Sequence, residues 1–354
     1  MESSVSWPTI FAKLLAKQDL SRAESAWAMG QIMSGETGEA EMAGFMLALR
    51  SKGEIVDEIT GLVDVMLANS LNLNTGDDAV DIVGTGGDQA GTVNVSSMAA
   101  VLAAAAGVPV MKHGSRSASG KTGSSEMLEK LGVRLDLTAD QVGEVFAKTG
   151  ITFFFAPVFH PSMRFVGPVR KALGVPTTFN FLGPLANPAQ PIATSLGVAN
   201  ASIAPLIASV MAARGRTALV FRGEDGLDEL TTTGTSQIWQ VSGGEVREFT
   251  LDPSELGIAR ASMVDLEGGD AEFNANVAKL VLSGANEPAT ARVREIVALN
   301  AAGGLVTYRL AKDPAQADVS IVERFRDALG EVTSALDDGR AAAKLQQWIE
   351  TTQN

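Results

Sequence analysis

The chain has 354 residues, 45% of them apolar and 19% charged, with 36 glycines and a formal net charge of −13. This length allows two domains with a large buried core, and the acidic balance argues against a nucleic-acid partner, which would need a basic footprint. Cysteine is absent, so disulfides, thiolate metal sites and cysteine nucleophiles are excluded.

The opening residues lack a basic region followed by an unbroken apolar core and a cleavage site, so they read as mature sequence. The longest nearly apolar stretch, 98–111, is interrupted by Gly107 and Pro109 and is shorter than the ~20 residues a membrane span needs. The expectation is a soluble, cytoplasmic protein without membrane contact.

The first ~70 residues read as helices: Ser21 and Glu24 have capping-box spacing, and Ile55, Ile59, Leu62, Val63 and Met66 repeat at helical intervals. Polar residues over 72–78 mark a linker, placing a boundary near residue 73 between a helical domain, 1–72, and a second domain, 73–354. In the second domain AVDIVGTGG reads as a buried strand entering a glycine loop. A helix from about Ser96, strand VPVM, helices near Ser125–Leu131 and from Thr138, and strands ITFFFAP, SLGVA and TALVFRG follow. This alternation predicts an α/β fold with a largely parallel central sheet flanked by helices. Residues 231–250, with Ile238, Trp239, Val241 and Val246 around Gly243-Gly244, predict a hairpin that decorates the sheet. The C-terminal ~85 residues read as mostly helical, without repeats.

Four constellations carry possible chemistry. Asp81 to Asp88, followed by Thr92 and Asn94-Val95-Ser96-Ser97, combines a strand, a glycine loop and a helix start. Glycines let backbone approach an anion, and free helix-start amides donate to it. The spacing fits neither a Walker loop nor the dinucleotide fingerprint. Taken alone, it is also readable as a structural turn in which Ser96 caps a helix. The second, 112–125, sets Lys112, Arg116 and Lys121 among serines and glycines after another buried strand, which suits a ligand with several phosphoryl groups. A solvated surface loop is the alternative.

The third, 155–164, leads to Arg170. A helix beginning around Pro161 puts positions 163, 166, 167 and 170 on one face, from which Arg170 can hold a carboxylate bidentately; the alternative is a surface ion pair. In the fourth, 223–230, adjacent Asp228 and Glu229 can offer hard oxygens to Mg²⁺ while diphosphate oxygens complete the octahedron; otherwise it is a solvated acidic turn. The only histidines are His113 and His160, which excludes a three-histidine metal site and leaves a serine triad little choice of base.

In this order, GTGGD, NVSS, KHGSR followed by Ser119, HPSMR, FNFLGPLANPA and GLDEL resemble the motifs of anthranilate phosphoribosyltransferases along nearly the whole chain. The resemblance implies a small helical domain, completed by a later helical insertion at about 160–190, and an α/β domain, with phosphoribosyl diphosphate between them. It implies that Gly84, Gly87, Asp88, Thr92, Asn94, Val95, Ser96, Ser97, Lys112, Ser119 and Ser124 contact the donor. Ser96, Asp228 and Glu229 would serve magnesium, as two ions, and Gly84, His113, Ser115, His160 and Arg170 would surround anthranilate. A homodimer is also implied.

The implied reaction is displacement of diphosphate at ribose C1 by the anthranilate amine, with no residue as nucleophile or base. That amine is neutral at pH 7, so orientation and leaving-group stabilisation carry the catalysis. Ser115 stands where the family pattern has asparagine, which predicts weaker anthranilate binding or an altered acceptor. Phe159 and Phe165 replace histidines, and Gly120 and Lys121 interrupt a usually serine-rich loop. The rival readings are a nucleoside phosphorylase and a non-catalytic nucleic-acid-binding relative. The LGPLANPA segment and Asp228-Glu229 weigh against the first, and the net charge against the second.

Overall fold

The computed structural model describes residues 5–73, 75–116, 122–285 and 287–354. Four helices come first, α1 (Trp7–Leu15), α2 (Arg22–Ser34), α3 (Glu39–Lys52) and α4 (Val56–Ala68). Then come β1 (Val80–Gly84), α5 (Val95–Ala105), β2 (Val110–Gly114), α6 (Ser124–Leu131), α7 (Ala139–Thr149) and β3 (Ile151–Phe155). A short α8 (Ala156–Phe159), a 3₁₀ turn at Pro161–Phe165 and α9 (Val166–Leu173) lead to β4 (Ala193–Gly197), α10 (Ala204–Ala213) and β5 (Thr217–Gly223). The chain finishes with β6 (Ser236–Ser242), β7 (Glu245–Leu251), α11 (Ala271–Leu282), α12 (Ala291–Lys312), α13 (Ile321–Asp337) and α14 (Arg340–Gln353).

The described residues form two compact units, one of residues up to Asn72 with Ala156–Pro188, the other of Leu73–Phe155 with Ala189–Asn354. In the helical unit α2 begins with the Ser21–Glu24 capping box, and Ile32, Phe45, Leu49, Ile59 and Leu62 are fully buried. A Cβ on Gly61 would lie 2.2 Å from Ser25 Oγ and 2.4 Å from Arg22 O, so α2 and α4 meet as closely as they do because position 61 has no side chain. The insertion is tied in by a buried polar contact, since Thr178 Oγ1 donates to Glu54 Oε1 at 2.5 Å.

The α/β unit holds one seven-stranded sheet in the order β3-β2-β1-β4-β5-β6-β7. The first five strands are parallel, whereas β6 and β7 are antiparallel and extend the sheet at one edge. β1, β2 and β4 are buried on both faces, as their continuous apolar runs predict. Helix α12 approaches β1 through Gly304, where a Cβ would stand 2.5 Å from Ile82 Cδ1.

Three expectations need correction. Strand β3 ends at Phe155 rather than continuing through Ala156-Pro157, which instead open α8, as Pro157 has no N–H for the ladder. No continuous α-helix starts at Pro161: residues Pro161–Phe165 form a 3₁₀ turn, and α9 begins at Val166. The two windings differ in residues per turn, so Met163 is not on the α-helical face of Arg170. The hairpin at 231–250 becomes two full strands of the sheet instead of a decoration on it.

Candidate active site

The parallel strands β1 and β4 end side by side, Gly84 paired with Gly197. Over both glycines sits Asp228. A Cβ at position 84 would fall 2.2 Å from Asp228 Oδ2, and one at 197 would fall 1.7 Å from Asp228 O. The Gly86 N–H donates to Asp228 Oδ2 at 2.7 Å, and the Ser96 N–H, in the first turn of α5, donates to Glu229 Oε1 at 3.2 Å. From α12, Asn300 grips the same turn in both directions: the Leu230 N–H donates to its Oδ1 and its Nδ2 donates to Leu230 O, each at 2.9 Å.

The acids of 223–230 therefore divide by task. Asp225 accepts from the Leu227 N–H at 3.0 Å and from the hydroxyls of Thr231 and Thr233, and Glu224 accepts from Thr235 Oγ1 at 2.9 Å. Those two build the turn. Burial, then the nearby charge of Asp88, pushes the Asp228 carboxyl up to about 7. Burial, then Asp228, holds Glu229 well above the usual carboxylate range. Beneath them Lys112, only 2% exposed, donates from Nζ to Ile82 O at 2.5 Å and to Ser96 Oγ at 3.3 Å. Burial pulls its pKa down against the acidic pull of Asp81, Glu229 and Asp228. One ammonium does not balance these desolvated acids, so the corner favours a cation. Among the described residues no three acids or histidines converge in metal-holding geometry. The donor set thus fits an ion that takes two carboxylates and fills its shell with phosphate and water oxygens.

The glycine loop surrounds this corner. Gly86, Gly87 and Gly91 have φ of +67°, +85° and +66°, a region where a side chain would be strained. Asn94 occupies the N-cap position of α5 without a side-chain capping bond, Val95 opens the helix, and buried Ser97 Oγ has no partner among the described residues. A helix start with an uncommitted hydroxyl is a ready anion site. At the end of β2, the His113 N–H donates to Asp81 Oδ1 at 3.1 Å. Gly114 leaves room for Ser124, whose Oγ would be 2.8 Å from a Cβ there and reaches Ser115 O at 3.5 Å. Arg116 forms a bidentate pair with Glu129 at 3.1 Å and lies over the Phe155 ring, so its guanidinium is committed elsewhere. Ser119, with Gly120 and Lys121, lies outside the described residues.

In the helical unit His160 is buried, with a ring nitrogen 2.8 Å from Ala186 O. Burial lowers its pKa against backbone contacts from Ala186 and Met66, so the neutral ring links the LGPLANPA segment to α4. On α9 the Arg170 guanidinium is half-buried, has no ion-pair partner among the described residues, and is shifted down by burial alone. Phe165 packs so closely on Gly35 that a Cβ there would lie 2.7 Å from its ring, and Arg164 covers that ring at 4.8 Å.

The sequence matches the glycosyl transferase family, a/b domain, over residues 76–342 and the glycosyl transferase family, helical bundle domain, over 8–70. A curated anthranilate phosphoribosyltransferase from Leifsonia xyli subsp. xyli is 51% identical over 352 residues, covering 99% of this chain and 100% of the relative. The chain belongs to the anthranilate phosphoribosyltransferase family. The family's crystal structure from Thermus thermophilus matches with a TM-score of 0.87 at 35% identity, over 98% of this chain and 99% of that one. The Saccharomyces cerevisiae enzyme, solved in complex with PRPP and Mg, matches with a TM-score of 0.87 at 26% identity, over 99% of both chains. A further structure of the yeast enzyme holds 4-fluoroanthranilate and matches with a TM-score of 0.84 at 25% identity, over 99% of both chains.

Against this family background, the structure gives a role to Asp81, at the head of the first constellation, and adds two residues outside all four. Asp81, fully buried, anchors the start of the KHG segment; Gly197 clears space for Asp228; Asn300 fixes the GLDEL turn. The sequence signal for Gly197 is its place at a strand end opposite the glycine loop. For Asn300 there is none, because it sits inside an unremarkable helix. No helix among the described residues is long and apolar enough to cross a membrane.

Proposed function

We propose that this chain transfers the 5-phosphoribosyl group of phosphoribosyl diphosphate to the amine of anthranilate, giving N-(5-phosphoribosyl)anthranilate and diphosphate. The observation that carries the reading is the largely desolvated acidic corner of Asp228 and Glu229, set directly against a glycine loop and a helix start without a side-chain cap. It pairs a cation site with an anion site, as a magnesium diphosphate requires. Gly84, Gly87, Asp88, Thr92, Asn94, Val95, Ser96, Ser97, Lys112 and Ser124 are the proposed donor contacts. Gly84, His113, Ser115, His160 and Arg170 are the proposed acceptor set, with Arg170 facing the anthranilate carboxylate.

Asp228, Glu229 and Ser96 would hold Mg²⁺, as two ions. When bound, the metal neutralises charge that develops on departing diphosphate. Lys112 adds a fixed positive charge at the base of the corner. The glycine loop and α5 amides hold the phosphates in register. Arg170 orients the acceptor so that its already neutral amine faces ribose C1, and no side chain need act as nucleophile or base. We further propose that the protein works in the cytoplasm as a homodimer, which sedimentation velocity would test against a monomer.

The test is loss of anthranilate fluorescence with purified protein, phosphoribosyl diphosphate and Mg²⁺. Consumption that needs both donor and metal supports the reading. Anthranilate left untouched by both the wild type and Ser115→Asn would overturn it in favour of a different acceptor.

A further inference from the structure

Asn274, in the first turn of α11, is 2% exposed and belongs to none of the sequence motifs. Its carboxamide closes a ring of hydrogen bonds. Asn274 Nδ2 donates to Asn94 Oδ1 at 2.9 Å, and Asn94 Nδ2 donates to Thr122 O at 3.2 Å. Thr122 Oγ1 donates to Gly269 O at 3.0 Å, and the Gly269 N–H returns to Asn274 Oδ1 at 2.8 Å. Asn94 ends the glycine loop after β1; Thr122 stands two residues before Ser124 at the start of α6. The ring therefore joins the loops that follow β1 and β2.

The segment before α11 reinforces the join. The Val93 N–H donates to Leu266 O at 3.0 Å, the Gly268 N–H donates to Gly91 O at 2.8 Å, and Thr92 bridges Glu267. A Cβ on Gly268 would stand 2.6 Å from Thr92 O, so residues 266–269 lie flush against the glycine loop as a strap. Two of the four hydrogen-bonding capacities of the Asn94 amide are taken by the ring, which fixes its plane and leaves one N–H and one lone pair.

Resting on the phosphoribosyltransferase reading, we propose that Asn274 is a positioning residue for donor binding. Through Asn94 and Thr122 it holds the two phosphate-facing loops in register before the donor arrives. Loops ordered in advance do not lose that freedom on binding, so the benefit falls on donor affinity. Only an amide serves at position 274, because the ring needs one donor and one acceptor from the same planar group.

Asn274→Asp separates the two bonds. It keeps an acceptor for the Gly269 N–H and sets an oxygen against Asn94 Oδ1. We expect the donor KM and the calorimetric donor Kd, measured with Mg²⁺ and phosphoribosyl diphosphate, to rise about 10-fold or more, with the anthranilate KM within about 2-fold of wild type. In an Asn94→Ala background the same change should add less than about 2-fold, since both act through one contact. Unchanged donor constants with only a lower melting temperature, equal shifts in both KM values, or full additivity with Asn94→Ala would each overturn the proposal. Asn274→Ala removes both bonds and should exceed the Asp variant in donor KM; should it fail to fold, the Asp variant alone decides. An inactive wild type that binds no donor would remove the functional reading and this proposal together, whereas an active wild type with indifferent variants removes this proposal alone.

Discussion

In the α/β unit two neighbouring carboxylates, buried Asp228 and half-buried Glu229, are both shifted toward their neutral forms, by desolvation first. In the helical unit a guanidinium, Arg170, is half-buried without an ion-pair partner among the described residues. Both arrangements are costly in the absence of ligand, since a charge removed from water is stable only when paired. Their opposite signs support the division of labour proposed above. In that proposal the acids take a cation and with it a diphosphate, and the arginine takes a carboxylate. The supports differ too. The acids are gripped by backbone amides, and the turn that carries them is held at Leu230 by Asn300, whereas Arg170 rides on the eight-residue α9 that follows a 3₁₀ turn.

The sharpest way to break the comparison is to neutralise the acids. Asp228→Asn keeps an acceptor for the Gly86 N–H but removes a buried charge. It should lower kcat/KM by ~10²-fold or more in the presence of Mg²⁺ and raise the melting temperature of the ligand-free protein, read by calorimetry at pH 8. A drop in melting temperature would mean the carboxylate stabilises the fold rather than waiting for a ligand. Next in size, Arg170→Ala should raise the anthranilate KM by ~10–100-fold, the scale of a lost charge-assisted pair, and leave the donor KM nearly fixed in steady-state assays. Equal movement of both constants would dissolve the division.

Ser115→Asn should sharpen the acceptor side more modestly, lowering the anthranilate KM by up to about 10-fold; an unchanged KM would remove position 115 from acceptor recognition. The smallest effect belongs to a charge outside either site. Asp78 accepts from Lys312 and from the Tyr308 hydroxyl, and first the Lys312 contact lowers its pKa. A depressed carboxylate stabilises the fold above its unfolded pKa and loses that contribution as pH falls through the lower folded value. Asp78→Asn should therefore cost under ~1 kcal/mol at pH 7, and the difference in denaturant midpoint should vanish well below pH 4.

Much of this is legible in the chain. Strand TALVFRG coincides with β5, Thr138 caps α7 as its spacing requires, and the glycine loop, the KHG segment and the Asp228-Glu229 pair meet as the ordered motifs imply. The motifs are readable because each packs its chemistry into a few consecutive residues. Asn274 and Asn300 are not, because their partners lie 180 and 70 residues away in sequence, and a buried asparagine in a helix carries no local signature. The 3₁₀ turn at Pro161–Phe165 is hidden because it runs without a break into α9 at Val166. Which acids of 223–230 build the turn and which face the glycine loop is decided by three threonines downstream, a pattern invisible until the hairpin folds back.

The most direct test of the division between the units is calorimetric titration of the full chain with phosphoribosyl diphosphate and Mg²⁺, comparing wild type, Asp228→Asn and Arg170→Ala. Donor binding lost in Asp228→Asn and preserved in Arg170→Ala is the predicted result. Donor binding lost in Arg170→Ala and preserved in Asp228→Asn would contradict the assignment of the donor to the acidic corner.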